Sequence, residues 1–272
     1  MSDRAADPVT RFLRMVTGPE PQLDEGALAI AAGAAADPGT AAAEAEGARA
    51  ALDELAAGVT DLDSLTARLF GEAGFVGNSA DYGDPRNSLL PDVLERRTGI
   101  PITLSVLAIE VGRRARVPLE GVGMPGHFLV REPGSDRYLD AFDGGRRLDR
   151  RGCEALFRAV TGSDTPFGPE QLPRVSTRQI LARMLENLRA SYRRGKDHVN
   201  LEWVLRMRLG LRHNGPELVR ELGEVLAAQA RWDEAARLME SWVDGPGRGS
   251  RSGTEVLDQV RLEARKHRAK LN

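Results

Sequence analysis

His127 and Asp140 are the residues whose types and spacing carry chemistry in this chain. They flank Pro133-Gly134-Ser135-Asp136, a composition that turns one strand back on another as a hairpin. With Glu132 facing Arg137 across that turn, His127 stands opposite Phe142 and Leu129 opposite Asp140. Alternate residues of a strand share a face, so His127 and Asp140 become diagonal neighbours on one face, within reach of each other. A carboxylate beside an imidazole fixes its tautomer and orientation, which is the supporting half of a nucleophilic triad. The same spacing also suits a neutral histidine bonded to a carboxylate for stability alone, and spacing does not choose between the two.

Other combinations exclude themselves. The remaining histidines, His198, His213 and His267, show no metal-ligand spacing with His127, so no metal is expected. Gly77, Gly83 and Gly144-Gly145 do not make a phosphate loop leading into a helix, and no cofactor is expected. Cys153 is the single cysteine of 272 residues. It cannot close an internal disulfide, which agrees with a reducing cytoplasm, and it reads as a small buried residue. The N-terminus has no basic region followed by an apolar stretch, and no run is apolar enough to span a membrane. The expectation is a cytoplasmic protein.

The elements that position the pair follow from pattern. Ile102–Arg114 is apolar on nearly every face, so it reads as a helix in the middle of a domain. Pro101 suits its first turn, and Arg113 and Arg114 complement the dipole at its end. Beyond Val117, Leu119–Met124, His127–Arg131 and Arg137–Phe142 read as strands, followed by a turn at Asp143-Gly144-Gly145. A central helix followed by an antiparallel meander is an α+β arrangement. Before it, glycines and Asx residues between Gly74 and Asn87 mark a long ordered loop, and a short helix after Pro91 ends at Gly99.

Residues 1–70 read as an N-terminal helical layer, with helices at Thr40–Gly58 and from Asp61 or Asp63 to Phe70. The core then spans 71–172, and 173–246 turn helical again. There Gly223, Leu226 and Ala235 fall where a 34-residue tetratricopeptide-like repeat places them, with Trp232–Leu238 opening its second helix, and Leu188 and Tyr192, aligned with Leu222 and Leu226, form a degenerate preceding unit. Two such units cannot stand alone and must lean on the core. Residues 247–272 continue the glycine-rich run 244–253 as a flexible linker and end in a basic helix, Thr254–Lys270. Charge is uneven: between Glu20 and Asp63 Arg49 is the only basic residue among ten acidic ones, while arginines crowd the C-terminal half. The reading is an acidic N-terminal face and a basic C-terminal one. No nucleic-acid module accompanies the basic residues.

Several runs together resemble a known family. Phe75-x-Gly77-Asn78, Asp84-Pro85-Arg86-Asn87-Ser88, Arg97-x-Gly99-Ile100-Pro101-Ile102, Pro125-Gly126-His127-Phe128-Leu129-Val130-Arg131 and Asp140-x-Phe142-x-Gly144-Gly145 resemble the transglutaminase-like core of the papain-like superfamily, and within it the SirB-type bacterial branch. Members of that branch carry tetratricopeptide-like helices behind the core. The resemblance implies a catalytic cysteine at the N-terminus of the central helix, then a histidine and an aspartate on successive strands. His127 and Asp140 take the last two positions; the cysteine position falls on Pro101, which has no nucleophile. Thr103 and Ser105 lie within about one helical turn of it, yet a hydroxyl needs far more activation than a thiol, and both read as a cap and a packing residue. The expectation is a non-catalytic, degenerate module that binds a protein partner through its C-terminal helices. The alternative is a cysteine-independent hydrolase, acyltransferase or cyclase using His127 and Asp140. The first expects a narrow or filled cleft, with Pro101 and Thr103 as the wall facing His127 and the Asn78–Ser88 loop inside it.

Overall fold

The computed structural model describes residues 7–211, 215–245, 247 and 254–270. Most of the linker read at 244–253 lies outside these residues, as does His213. The described chain is α+β: α1 (Pro8–Thr17), α2 (Leu23–Ala31), α3 (Pro38–Ala56) and α4 (Leu62–Thr66) precede the sheet region. Asp7, Asp37 and Asp61 cap α1, α3 and α4 with side-chain oxygens on first-turn N–H groups. Beyond α4 the chain runs through a wider π turn, Ala67–Glu72.

The long loop contains structure that composition did not reveal. β1 (Val76–Gly77) pairs in parallel with β2 (Thr98–Gly99), with α5 (Leu90–Arg96) between them. Arg97, at φ 54°, ends α5 in the left-handed region, two residues before the glycine expected to do so. Its guanidinium reaches the carbonyl of Ala73, which holds the cap in place.

α6 (Pro101–Ala115) is the central helix, with Ile102, Leu104, Val106, Leu107, Ala108 and Val111 all buried. It packs on an antiparallel four-stranded meander of β3 (Glu120–Val122), β4 (Leu129–Arg131), β5 (Tyr138–Asp140) and β6 (Arg146–Leu148), in that spatial order. Val130 pairs with Leu139, which is the register set by Glu132 facing Arg137. The strands are shorter than the alternation implied, because Met124–His127 is spent on a turn before β4 and Phe142 already belongs to the next turn. α7 (Arg150–Thr161) closes one face of the sheet over a small core that includes Cys153, Phe157, Leu129 and Tyr138.

Beyond it α8 (Thr177–Gly195), α9 (His198–Gly210), α10 (Pro216–Ala228), α11 (Trp232–Asp244) and α12 (Thr254–Ala269) pack each on the next. One hydrophobic core runs from Phe12 of α1 through Leu52, Leu107 and Leu185 to Leu222 and Ala235. Of the C-terminal helices α8 packs on the central helix, the next ones join it through that continuous core, and Val219, Met239, Trp242, Val243, Val260 and Ala264 form a separate core among α10, α11 and α12.

Much of the charge segregated along the chain is taken up in local ion pairs. Arg189 pairs with Glu186 and Glu221, Arg206 with Glu202 and Glu234, Arg220 with Glu263, and Arg268 with Glu240. On the acidic side Asp24 and Asp53 pair with Arg114, and Asp63 with Arg147. In these pairs opposite signs sit next to each other on both halves.

Candidate functional site

His127 owes its place to a turn. Met124-Pro125-Gly126-His127 closes through the His127 N–H onto the Met124 carbonyl at 3.1 Å, with Gly126 at φ 74°. Proline followed by a residue at positive φ is the type II pattern, which favours glycine, and a Cβ here would also crowd Val160 at 3.1 Å. The turn delivers His127 to the start of β4, alongside the end of β5.

There Nε2 of His127 lies 2.8 Å from Oδ1 of Asp140. Both side chains are buried, at 6% and 1% exposure. Asp140 Oδ1 also accepts the backbone N–H groups of Phe142 at 3.1 Å and Asp143 at 3.3 Å. The carboxylate is thus held by the turn that follows it and in turn fixes the ring. With Nε2 engaged, Nδ1 is the nitrogen left for whatever enters the cleft.

The cleft is open, at about 560 Å³. His127, Asp140 and Pro101 line it together, as the placement of the helix N-terminus required. Thr103 does not: it is fully buried inside α6, as is Ser105, and neither hydroxyl has a hydrogen-bond partner among the described residues. The expected wall is therefore Pro101 alone. The expected filling is also partial. The Asn78–Ser88 loop contributes Ser79 and Tyr82 to the lining without filling the cleft.

That loop is held by its own amides. Asn78 Nδ2 donates to Asn87 Oδ1 at 3.1 Å, Asn87 Nδ2 to the Asp81 carbonyl at 2.7 Å, and the Asp81 N–H to Asn78 Oδ1 at 2.9 Å. Phe142 stands between loop and histidine, edge-on to Tyr82 at 6.1 Å and to His127 at 6.0 Å. It rests against Gly77, where a Cβ would sit 2.5 Å from its ring. Leu156 and Val160 of α7 complete an apolar side of the cleft.

Two further residues bear on the site. Cys153 is fully buried in the small core under the sheet, outside the cleft lining. Burial, together with the charges of Asp149 and Asp140, pushes its thiol up to about 12, so no thiolate forms there near neutral pH. Arg183 of α8 was not legible as a site residue at all. Its Nη2 donates to the carbonyls of His127 at 2.7 Å and Met124 at 3.2 Å, and its guanidinium lies 5.5 Å from the centre of the Phe128 ring. Burial lowers its pKa from the usual value, against an opposing influence of Tyr82. A charged arm from the C-terminal helices thus clamps the turn that presents His127.

A buried His–Asp pair on an antiparallel sheet, facing the first turn of a central helix, defines the class to which this site belongs. The sequence profile of the transglutaminase-like superfamily matches residues 40–186, more than half of the chain, and the protein belongs to that superfamily. Among curated proteins it is similar to a UPF0162 protein of Xylella fastidiosa (strain 9a5c), 41% identical over 149 residues that make 53% of this chain and 53% of the relative. A UPF0162 protein of Pseudomonas aeruginosa is 38% identical over 140 residues, 52% of this chain and 51% of its own. F-box only protein 21 of Mus musculus is 37% identical over 138 residues, 47% of this chain and 21% of its own. The matched stretch spans about half the length of these bacterial relatives. No solved structure matches the chain. Among the described residues no helix is long and apolar enough to cross a membrane, and no group of acidic, histidine and cysteine side chains is placed to hold a metal.

Proposed function

We propose that the chain is a non-catalytic member of the SirB-type branch, a degenerate transglutaminase-like module that works in the cytoplasm by binding a protein partner. In this reading 71–172 form the module's core, and 173–246 form a tetratricopeptide-like docking surface. One observation carries it: at the first turn of α6, where the family resemblance sets the cysteine nucleophile, the cleft is lined by Pro101. His127 and Asp140 keep the supporting half of a triad without the half that attacks. The one thiol is buried elsewhere and held protonated, and Thr103 is sealed in the helix. That the matched stretch makes only 21% of F-box only protein 21 supports a module built into longer chains of other composition.

The test is turnover. Purified protein is incubated with peptide and amide substrates, with and without an amine acceptor, beside His127→Ala. The reading expects equal, background rates. Turnover abolished by His127→Ala would overturn it in favour of cysteine-independent amide chemistry. Ser79→Ala and Thr103→Ala would then separate the hydroxyl that lines the cleft from the one that does not.

A further inference from the structure

At the other end of the hairpin lies a second hollow that the His–Asp site does not use. His127 leads into β4 and Asp140 ends β5; this hollow gathers at Arg131, the last residue of β4, and Tyr138, the first of β5. Its volume is about 600 Å³, within the range of small-ligand pockets and well beyond a single bare ion. Four guanidinium groups line it, those of Arg131, Arg137, Arg150 and Arg151.

Arg131 is held in place. Its Nε donates to Glu120 at 2.7 Å, its Nη1 to the Tyr138 hydroxyl at 3.4 Å, and its guanidinium lies 5.8 Å from the Tyr138 ring centre. The tyrosine oxygen acts as acceptor there, which leaves its own proton to give to an acceptor in the hollow. Glu120 is shared with Arg174, so its charge is divided between two guanidiniums. Arg137, Arg150 and Arg151 have no ion pair and no side-chain hydrogen bond among the described residues. That contrasts with Arg49, Arg114, Arg206 and Arg220, each matched to a carboxylate.

Two carboxylates also border the hollow. Asp149 is committed as the cap of α7, accepting the Gly152 N–H at 2.8 Å. Asp136 lies on the exposed turn. Against four guanidiniums these leave the lining net positive.

We propose that this hollow binds a small molecule through a phosphoryl group. Guanidinium forks match the oxygens of a phosphate and form short, charge-assisted bonds with it, which an ammonium or an amide does less well. Leu172 and Pro169 give an apolar floor for the body of such a molecule. The site is independent of the proposed function of the His–Asp cleft.

The test is isothermal titration of the full chain with inorganic phosphate, inorganic pyrophosphate and ADP, at constant ionic strength set with chloride. Saturable binding is expected for at least one of the three. ADP bound more tightly than pyrophosphate assigns the apolar floor to the ligand's body; pyrophosphate or phosphate bound as well as ADP assigns the site to the free anion. Arg137→Gln combined with Arg151→Gln should weaken binding about tenfold or more, the loss expected for two charge-assisted bonds. Arg150→Gln gives an independent second reading, and Arg193→Gln, far along the chain in α8, should leave the affinity unchanged. All four positions are exposed, and a thermal melt of each variant verifies its fold. No saturable binding by any of the three at concentrations up to about 1 mM, or equal affinity in wild type and the hollow's variants, overturns the proposal.

Discussion

Asp140 Oδ1 lies 2.8 Å from Nε2 of His127 and receives two backbone N–H groups of its own turn, from Phe142 and Asp143. One buried oxygen therefore orders both the imidazole and the chain that follows β5. Asp140→Ala strands the ring nitrogen and both N–H groups, at a cost of about 3 kcal/mol for buried donors left without acceptors. Asp140→Asn keeps an amide oxygen in place and should lose clearly less. His127→Ala removes one of three partners and should lose least. Urea denaturation of the three variants checks the order.

Arg183 couples α8 to the turn at Met124–His127. Arg183→Met keeps the packing on Phe128 and removes both bonds to carbonyl oxygens. Amide exchange at Gly126, His127 and Phe128 should accelerate, while exchange in α6 stays as in wild type. Arg183→Lys should restore protection only in part, because an ammonium offers no planar fork to two carbonyls at once. Uniform loss of protection across the domain would reduce Arg183 to a general packing residue.

Glu110 and Asp24 meet the same two arginines but titrate in opposite senses. Burial, and then the negative charge of Asp24, push Glu110 above its ordinary 4.5 despite Arg113 and Arg114. Burial also pushes Asp24 upward, but hydrogen bonds from Arg114 and the Glu25 N–H, with the charge of Arg113, hold it below 3.8. A raised carboxyl contributes stability below its unfolded pKa and loses it as pH rises through the folded value; a lowered one contributes above its unfolded pKa and loses it as pH falls. Glu110→Gln should therefore gain stability relative to wild type as pH rises above 4.5. Asp24→Asn should be destabilised at neutral pH and approach wild type as pH falls below 3.8. Denaturant melts across that range read both trends.

Cys153 should be silent. Its thiol, raised from 9.0 to about 12 and fully buried, offers no thiolate to a disulfide reagent in the folded protein. Reaction with such a reagent is expected only as fast as the chain unfolds. The same shift works on stability in alkali: a raised thiol contributes fully below 9.0 and its contribution is lost as pH rises toward 12. Cys153→Ser should therefore fall less steeply in stability than wild type across that window.

What the sequence made legible was what local pattern controls. The central helix shows because it is apolar on every side, and Pro101–Ala115 extends the expected range by one residue at each end. The hairpin register shows because a four-residue turn leaves one way to pair Val130 with Leu139. β1 and β2 carry no periodicity in two residues each, and β6 opens with two exposed arginines, so none of the three shows a strand pattern. The cleft's other walls depend on long-range placement. Tyr82 and Ser79 arrive by a loop and Leu156 and Val160 by a helix beyond the sheet, while Arg183, which is outside the cleft lining, reaches the His127 turn from α8. In sequence Arg183 is one more arginine on an amphipathic helix, and only the fold tells which carbonyls it meets.

The central claim is that His127 and Asp140 remain set for a nucleophile that the chain does not supply at Pro101. Pro101→Cys tests it most directly, by the second-order rate of alkylation with iodoacetamide at neutral pH. A thiol at a helix N-terminus beside an imidazole is expected to be held well below its free pKa and to react as a thiolate. Pro101→Cys should therefore be alkylated faster than a free thiol at neutral and mildly acid pH, with that advantage lost on adding His127→Ala, while folded wild type stays unmodified. A Pro101→Cys thiol that reacts no faster than a free one, or whose rate is indifferent to His127→Ala, would contradict the account.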